Sequence, residues 1–287
     1  MKRKDGTRVK VSDPMYHLIP HFMVHRYDAV NMVTVDVPVA PMKAYINAKR
    51  KEGQTISHMA IFLAAYLRTV KDYPALNRFI VNRKIYERNE IKVSLAILKP
   101  NGDDTMQKFD LTPDDDVFTI QQKITDFIET NKKDGENNVL DKAMNILTGP
   151  MSPITTGAIK LLWWADKHGM LPKWLIDISP FHASVLVSNL ASIRAPQIYH
   201  HIYDFGTTSM SITMGTPKDV PKNTKDGIKF EKVMPLGFVM DERIANGRYL
   251  TGCFTRMKKY MMHPEMLEQS GAEATLQTTA QEPSEDT

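Results

Sequence analysis

The sequence contains a single cysteine, Cys253, among its 287 residues. One thiol cannot form an intramolecular disulfide, and it cannot build a cysteine-based metal site. Because a chain without disulfides is typical of a reducing compartment, we expect a cytoplasmic location. Cys253 itself falls on a core-facing position of the last predicted helix.

Long apolar runs and an excess of one charge are also missing. No stretch approaches the ~20 apolar residues of a membrane-spanning helix. The start, MKRKDGTRVKV, is basic but lacks the apolar run of a signal peptide. The 37 basic and 33 acidic residues are interspersed, and a net charge of +4 is too small to favour nucleic-acid binding.

The patterning that is present predicts a large α/β domain. With 42% hydrophobic residues the chain can bury a full core. Alternating valines indicate a strand over 31–38, and apolar residues at spacings of three and four indicate a central helix with Thr55 as its N-cap. Asp114, Asp115 and Asp116 open a later helix, where they favour its dipole better than they would form a cation site. Further strands are predicted at 79–81, 91–98, 105–109 and 209–215.

All three tryptophans lie in one apolar segment, an apparent insertion at about 138–178. Trp163, Trp164 and Trp174 fall within twelve positions of each other. Such a segment can pack against the domain or a neighbouring subunit, cover an acyl pocket, or lie in a membrane interface. Packing is favoured over peripheral membrane contact, because few basic residues accompany the tryptophans.

The most informative stretch is 233–249, VMPLGFVMDERIANGRY. An apolar strand ends at Asp241, a polar turn follows, and Gly247 opens the last helix. Two further stretches stand in order before it. The central helix runs into DYPALN at 72–77, and another apolar strand ends in SNL at 188–190.

These three stretches resemble the chloramphenicol acetyltransferase-like superfamily, most closely the catalytic core of the dihydrolipoamide acyltransferases of 2-oxoacid dehydrogenase complexes. That family has E-F-P-E-L-N after the core helix, S-N-L-G at a strand end and D-H-R-x-x-D-G before the last helix. The resemblance implies a two-layer α/β sandwich over 14–266, a mixed sheet with helices on one face. Residues 1–13 are then an N-terminal arm, and the composition of 267–287 predicts a disordered tail. A homotrimer, or a multiple of trimers, with active sites between subunits is implied.

The resemblance also implies roles for individual residues. Ser188 takes the place of the hydroxyl that donates to the oxyanion of the tetrahedral intermediate. Glu242 stands where the family has its histidine base, and Asn246 stands where it has an aspartate. Arg26 is the candidate for the family's arginine that pairs with the motif aspartate, with Arg8 as its competitor.

This degenerate His/Asp pair leaves two interpretations open, a weak acyltransferase or an inactive relative. The pKa of a glutamate is about four units below that of a thiol. Proton transfer from the thiol to the glutamate then costs roughly 5 to 6 kcal/mol, unless burial raises the pKa of the glutamate. In the first, Glu242 is an altered base that moves an acyl group from acyl-CoA or another thioester to a thiol or hydroxyl. In the second interpretation, which is favoured, Glu242 forms an ion pair with an arginine such as Arg243, and the turn from Asp241 to Gly247 is structural. The protein is then a non-catalytic scaffold or an acyl-CoA-binding protein. No covalently bound cofactor is expected.

Histidines elsewhere are candidate substitute bases. His200 and Asp204 have the spacing of the missing pair, and His201 lies beside them. His182 is close to Ser188 in sequence but about 20 Å away along a strand.

A second group of histidines, near the N-terminus, has the spacing of a metal ladder. His17, His21 and His25 would share one helical face, but Pro20 interrupts the helix and no acidic residue has a matching spacing. A structural or surface role is therefore favoured over a metal site.

Overall fold

The computed structural model describes residues 3–11, 13–98, 104–133 and 152–269. The predicted tail beyond 269 and the first part of the predicted insertion lie outside these residues. The described strands are β1 Gly6–Arg8, β2 Val30–Pro38, β3 Arg78–Val81, β4 Lys84–Arg88, β5 Ile91–Leu98, β6 Asp104–Leu111, β7 Val185–Asn189, β8 Met210–Met214, β9 Lys218–Thr224 and β10 Gly227–Asp241. The described α-helices are α1 Met15–Phe22, α2 Val39–Lys51, α3 His58–Asp72, α4 Val117–Lys133, α5 Ser152–Lys167, α6 Lys173–Ile178 and α7 Gly247–Met262.

A seven-stranded mixed sheet is organised around β10. The strand order is β2-β10-β8-β7-β5-β6, and β9 pairs with the first half of β10. From Val233 onward, β10 pairs antiparallel with β2, and from Leu236 it also pairs with β8. Strands β5, β7 and β8 are parallel neighbours. The strand predicted to end at Asp241 is therefore a central one, paired on both sides along its last residues.

One face of this sheet is covered by helices. Val187, Ile212 and Phe238 lie side by side in register on neighbouring strands, and all three are buried. Helix α3 is buried without interruption from Met59 to Val70, and it contacts α4 and α7. Because each fully buried side chain of this size contributes about 1.5–3 kcal/mol, this layer is the main source of stability. The predicted α/β class with a mixed sheet is confirmed.

The other face carries a row of small polar residues. Ser188, Thr213, Gly237 and Thr34 are cross-strand neighbours on β7, β8, β10 and β2. The chain before β8 lies against this row, because the Thr213 hydroxyl donates to the carbonyl oxygen of Ile198 at 2.5 Å. A Cβ atom on Gly237 would lie 2.6 Å from the same oxygen. Glycine is required there by this close approach of two backbones.

Residues 3–11 pack against the rest of the domain. Strand β1 pairs with β4 in a small sheet of order β1-β4-β3. Arg3 is buried, and its guanidinium contacts the carboxylates of Asp5 at 2.8 Å and of Asp166 on α5 at 2.7 Å. The tryptophan-containing segment is thus attached to the domain through a buried ion-pair network. Trp164 and Trp174 remain 50% and 63% exposed.

Local details differ from the sequence predictions where short polar groups decide a boundary. The predicted N-cap Thr55 is wrong: α3 begins at His58, and the Ser57 hydroxyl accepts a hydrogen bond from the backbone N–H of Ala60. Asp116 caps α4 by accepting from the N–H of Thr119 at 2.7 Å. Among the described helices, none is both long and apolar enough to cross a membrane.

The close contact at Gly237 yields a stability prediction. In Gly237→Ala the new methyl group meets the Ile198 carbonyl and the Thr213 hydroxyl, so we expect the free energy of unfolding to fall by about 1–3 kcal/mol. Gly157→Ala is the matched control, because Gly157 is exposed on α5 with nothing within 4 Å. There the same change should stabilise the protein by about 0.5–1 kcal/mol. Urea unfolding of both variants checks this, and effects of equal sign would contradict it.

Candidate active site

Asp241, the last residue of β10, is clamped between two arginines. Arg243 donates to it bidentately, from Nε to Oδ1 at 2.8 Å and from Nη2 to Oδ2 at 2.7 Å. The Nε atom of Arg26 lies 3.6 Å from Oδ2. All three side chains are buried, with exposed fractions of 0% for Asp241, 2% for Arg26 and 3% for Arg243. A carboxylate this deep is stable only because cations and hydrogen bonds compensate its lost hydration.

The same arginines connect this strand end to distant segments. Arg26 donates to the backbone carbonyls of Tyr203, Gly206 and Ile80. Arg243 donates to the carbonyl of Met23 at 2.8 Å. Burial lowers the pKa of Arg26, and the charge of Asp241 opposes this effect. Of the two candidate N-terminal arginines, Arg26 is therefore the one at the motif, whereas Arg8 is exposed on β1.

Glu242 lies outside this ion-pair cluster. Its backbone N–H donates to the carbonyl of Ala29, and its Oε2 accepts a hydrogen bond of 2.6 Å from the side-chain amide of Asn31. The side chain is half-buried, and no cation among the described residues pairs with it. The expectation that Glu242 takes over an arginine is wrong, because Asp241 holds both guanidiniums from a deeper position.

Asn246 acts as a helix cap. Its Oδ1 accepts a hydrogen bond of 2.8 Å from the backbone N–H of Tyr249, and α7 begins at the next residue, Gly247. Asparagine is among the preferred N-cap residues, since its short side chain satisfies a free N–H of the first turn. The side chain is exposed and contacts neither Asp241 nor its arginines.

Ser188 lies near the end of β7, on the polar face of the sheet. It is half-buried beside Thr213, and its hydroxyl forms no hydrogen bond within the described part of the chain. Thr213 differs, because its hydroxyl is occupied by the backbone of Ile198. With two strand spacings and five residues between them, Ser188 and Glu242 are about 19 Å apart in one chain. One copy therefore does not bring the two together.

The three predicted substitute bases have other contacts in the structure. His182 is fully buried, its Nδ1 contacts the Ser179 hydroxyl at 2.8 Å, and burial lowers its pKa while Asp166 opposes the shift. His200 and His201 stack on each other at 5.1 Å. Neither reaches Asp204, so the pair suggested by their spacing does not form.

Asp204 pairs with His25 instead. The carboxylate accepts from the backbone N–H of Arg26 at 2.6 Å and contacts His25 Nδ1 at 2.7 Å, while 44% of the imidazole is exposed. No sequence pattern predicts this dyad, since 179 positions separate its members. The structure also corrects the histidine ladder, because α1 continues through Pro20 and His25 lies beyond its end. Among the described residues, no group of three or more histidine, cysteine or acidic side chains could hold a metal ion.

The buried clamp predicts a large loss of stability in Asp241→Asn. Two buried guanidiniums would then lack their carboxylate, so we expect the free energy of unfolding to fall by about 3–5 kcal/mol. Asp226→Asn is the control, because Asp226 pairs with Lys229 on the surface, where such a pair contributes about 0–1 kcal/mol. Chemical unfolding of both proteins measures the difference. Similar effects would show that the clamp does not stabilise the fold.

Comparison with known proteins shows a similarity of fold. No family model matches the sequence, and no curated protein matches it. Among solved structures, a probable dihydrolipoamide acetyltransferase from Listeria monocytogenes is similar, with a TM-score of 0.56 at 17% identity, covering 89% of this chain and 94% of that one. The dihydrolipoamide acetyltransferase of Azotobacter vinelandii has a TM-score of 0.58 at 11% identity, covering 87% and 86%.

A chloramphenicol acetyltransferase is similar to the same extent. Its TM-score is 0.56 at 15% identity, and the match covers 89% of this chain and 99% of that one. Identities this low establish the fold and leave the chemistry open. The resemblance seen in three short stretches of sequence is confirmed at that level. The chain has the fold of the dihydrolipoamide acetyltransferase catalytic cores and of chloramphenicol acetyltransferase.

Proposed function

We propose that the protein is an acyltransferase that uses acyl-CoA or another thioester, with Glu242 as a weak general base. The observation that supports this is the Glu242 carboxylate, which is half-buried at the end of β10 and has no cation against it. Because Asp241 occupies both arginines, Glu242 is left free to accept a proton. The Ser188 hydroxyl, without a hydrogen-bond partner among the described residues, is free to donate to an oxyanion.

The proposed site lies between two copies of the chain. A base and an oxyanion donor must each approach the reacting groups to about 3 Å, whereas Ser188 and Glu242 of one copy are about 19 Å apart. A neighbouring subunit must then supply one of them. A homotrimer, or a multiple of trimers, is the proposed assembly, and one solved structure with this fold is the cubic core of a pyruvate dehydrogenase complex.

In the proposed reaction, Glu242 removes the proton from the acceptor thiol or hydroxyl. The acceptor attacks the thioester carbonyl, the oxyanion accepts a hydrogen bond from Ser188, and CoA leaves as its thiol after taking up the proton. A carboxylate is a poorer base than imidazole by about two pKa units, or roughly 3 kcal/mol, so turnover should be slow.

The asparagine at position 246 is compatible with this chemistry. The solved structure of the Azotobacter vinelandii enzyme is described in terms of a serine, a histidine and an asparagine in its catalytic mechanism. That asparagine lies four positions after the histidine. Glu242 and Asn246 have the same spacing of four here. In this proposal the replacement of the histidine is therefore the single change that lowers activity.

A second candidate function is a non-catalytic scaffold or acyl-CoA-binding protein. The hydrogen bond from Asn31 to Glu242 favours it, because it occupies an oxygen of the carboxylate that a general base would use. Calorimetric binding of acetyl-CoA and CoA release by the same preparation separate the two functions. Binding without turnover would select the second, and turnover would select the first.

Restoring the imidazole tests the role of Glu242. We expect Glu242→His to raise kcat for acetyl transfer from acetyl-CoA by about 10²-fold or more, since a matched general base contributes about 10²- to 10⁴-fold. Glu242→Gln should abolish turnover because it cannot accept the proton. Glu231→His, on the exposed part of β10, is the control and should change nothing. If Glu242→Gln kept full activity, Glu242 would be excluded as the base. Loss of activity in His25→Gln would then assign the role to the His25–Asp204 dyad.

The oxyanion role of Ser188 has its own test. Ser188→Ala should lower kcat about 10²- to 10³-fold while the affinity for acetyl-CoA stays unchanged, because the lost hydrogen bond acts in the transition state. Ser192→Ala is the control, since Ser192 is exposed and its hydroxyl is bonded to the carbonyl of Asn189. Steady-state kinetics and calorimetry measure both quantities. Equal kcat in the two variants would contradict the assignment.

A further inference from the structure

A cavity of about 170 Å³ lies beside the arginine clamp but is distinct from the proposed acyl-transfer residues Ser188 and Glu242. Its floor includes Arg26 and Arg243. The turn between β3 and β4 lines it with Arg83, and α5 lines it with Trp163 and Lys167. Four separate stretches of chain and Arg243 therefore enclose one small space.

The cavity walls carry an excess of positive charge. Arg26, Arg243, Arg83 and Lys167 are four cations, and Asp166 and Asp204 are the two carboxylates that line the same space. Behind the walls, Arg3 adds one positive charge, while Asp241 and Asp5, the partner of Arg3, add two negative ones, so an excess of positive charge remains.

Both wall carboxylates already have partners. Asp166 contacts Arg3 at 2.7 Å and lies 3.3 Å from His182 Nε2. Asp204 contacts His25 Nδ1 and the backbone N–H of Arg26. The remaining cations, Arg83 and Lys167, have no acidic partner within the described residues, although Lys167 lies 5.0 Å from the Trp163 ring centroid. These two side chains are the free cations of the cavity.

The backbone at Arg83 gives a second reason to assign a role to this side chain. Asn82 and Arg83 both have positive φ values, 47° and 59°, in the two-residue turn between β3 and β4. Glycine is strongly preferred at the second position of such a turn, because a side chain there adds conformational strain. An arginine is present at that costly position, and its side chain lines the cavity.

We propose that this cavity is a binding site for a compact oxyanion, a phosphate or carboxylate group, held by Arg83 and Lys167. The volume lies below the roughly 300–1,000 Å³ of pockets that hold drug-sized ligands, so the bound group is small. Arginine presents a planar fork of donors to such oxygens, and lysine adds a point charge. The Trp163 ring, Val24 and Ile80 supply an apolar wall for a short aliphatic part of the ligand.

Titration calorimetry of the full chain tests this site. Inorganic phosphate is one probe and acetate the other, each at constant ionic strength set with chloride, so the two arms distinguish a phosphate from a carboxylate ligand. We expect saturable binding of at least one of them. In the double variant Arg83→Gln with Lys167→Gln, the dissociation constant should rise about tenfold or more, because two charge-assisted hydrogen bonds are lost.

The control removes the same charges elsewhere. Lys43 and Arg50 are exposed on α2, away from the cavity, and the double variant Lys43→Gln with Arg50→Gln should bind like the unmodified protein. Circular dichroism verifies that each exposed substitution leaves the fold intact. If neither probe binds saturably, or if both double variants weaken binding equally, the proposed site is overturned. Because the readout is binding of phosphate or acetate, it is independent of any acyltransferase activity.

Discussion

The buried carboxylate of Asp241 is the interaction on which the arrangement of this molecule depends. It lies at the end of the central strand, where it forms buried ion pairs with Arg26 and Arg243. Once buried, those guanidiniums need acceptors for their other N–H groups, and they find them on carbonyls of the segments around Met23 and Gly206. One unhydrated charge thus fixes several loops at once.

This clamp also determines what Glu242 can do. A carboxylate next to an arginine in sequence is an obvious candidate for an ion pair, but Arg243 turns inward to a partner two positions earlier. Glu242 is left at the boundary of the interior, bonded to the neutral amide of Asn31. The chemistry proposed for the protein therefore depends on which of two acids pairs with the arginines. The more deeply buried one, Asp241, does so.

The two faces of the sheet carry different kinds of side chain. Apolar residues at every second position meet the helices, whereas Ser188, Thr213 and Thr34 form a polar row on the opposite face. Side chains on a strand alternate between faces. In a sequence of the type V-S-N or I-T-M, the apolar first residue therefore faces the helices and the hydroxyl residue after it lies on the polar face. The close approach of the chain at Gly237 then occupies the Thr213 hydroxyl and leaves that of Ser188 open.

The sequence alone determined the α/β class, the central strand up to Asp241 and the three stretches that resemble an acyltransferase core, because periodicity and short motifs are local properties. It also singled out Ser188, Glu242 and Asn246. The tertiary structure alone decided the partners. Asp241 rather than Glu242 holds the arginines, and Asp204 pairs with His25 rather than His200, because burial depth and chain path, not spacing, decide which charges meet.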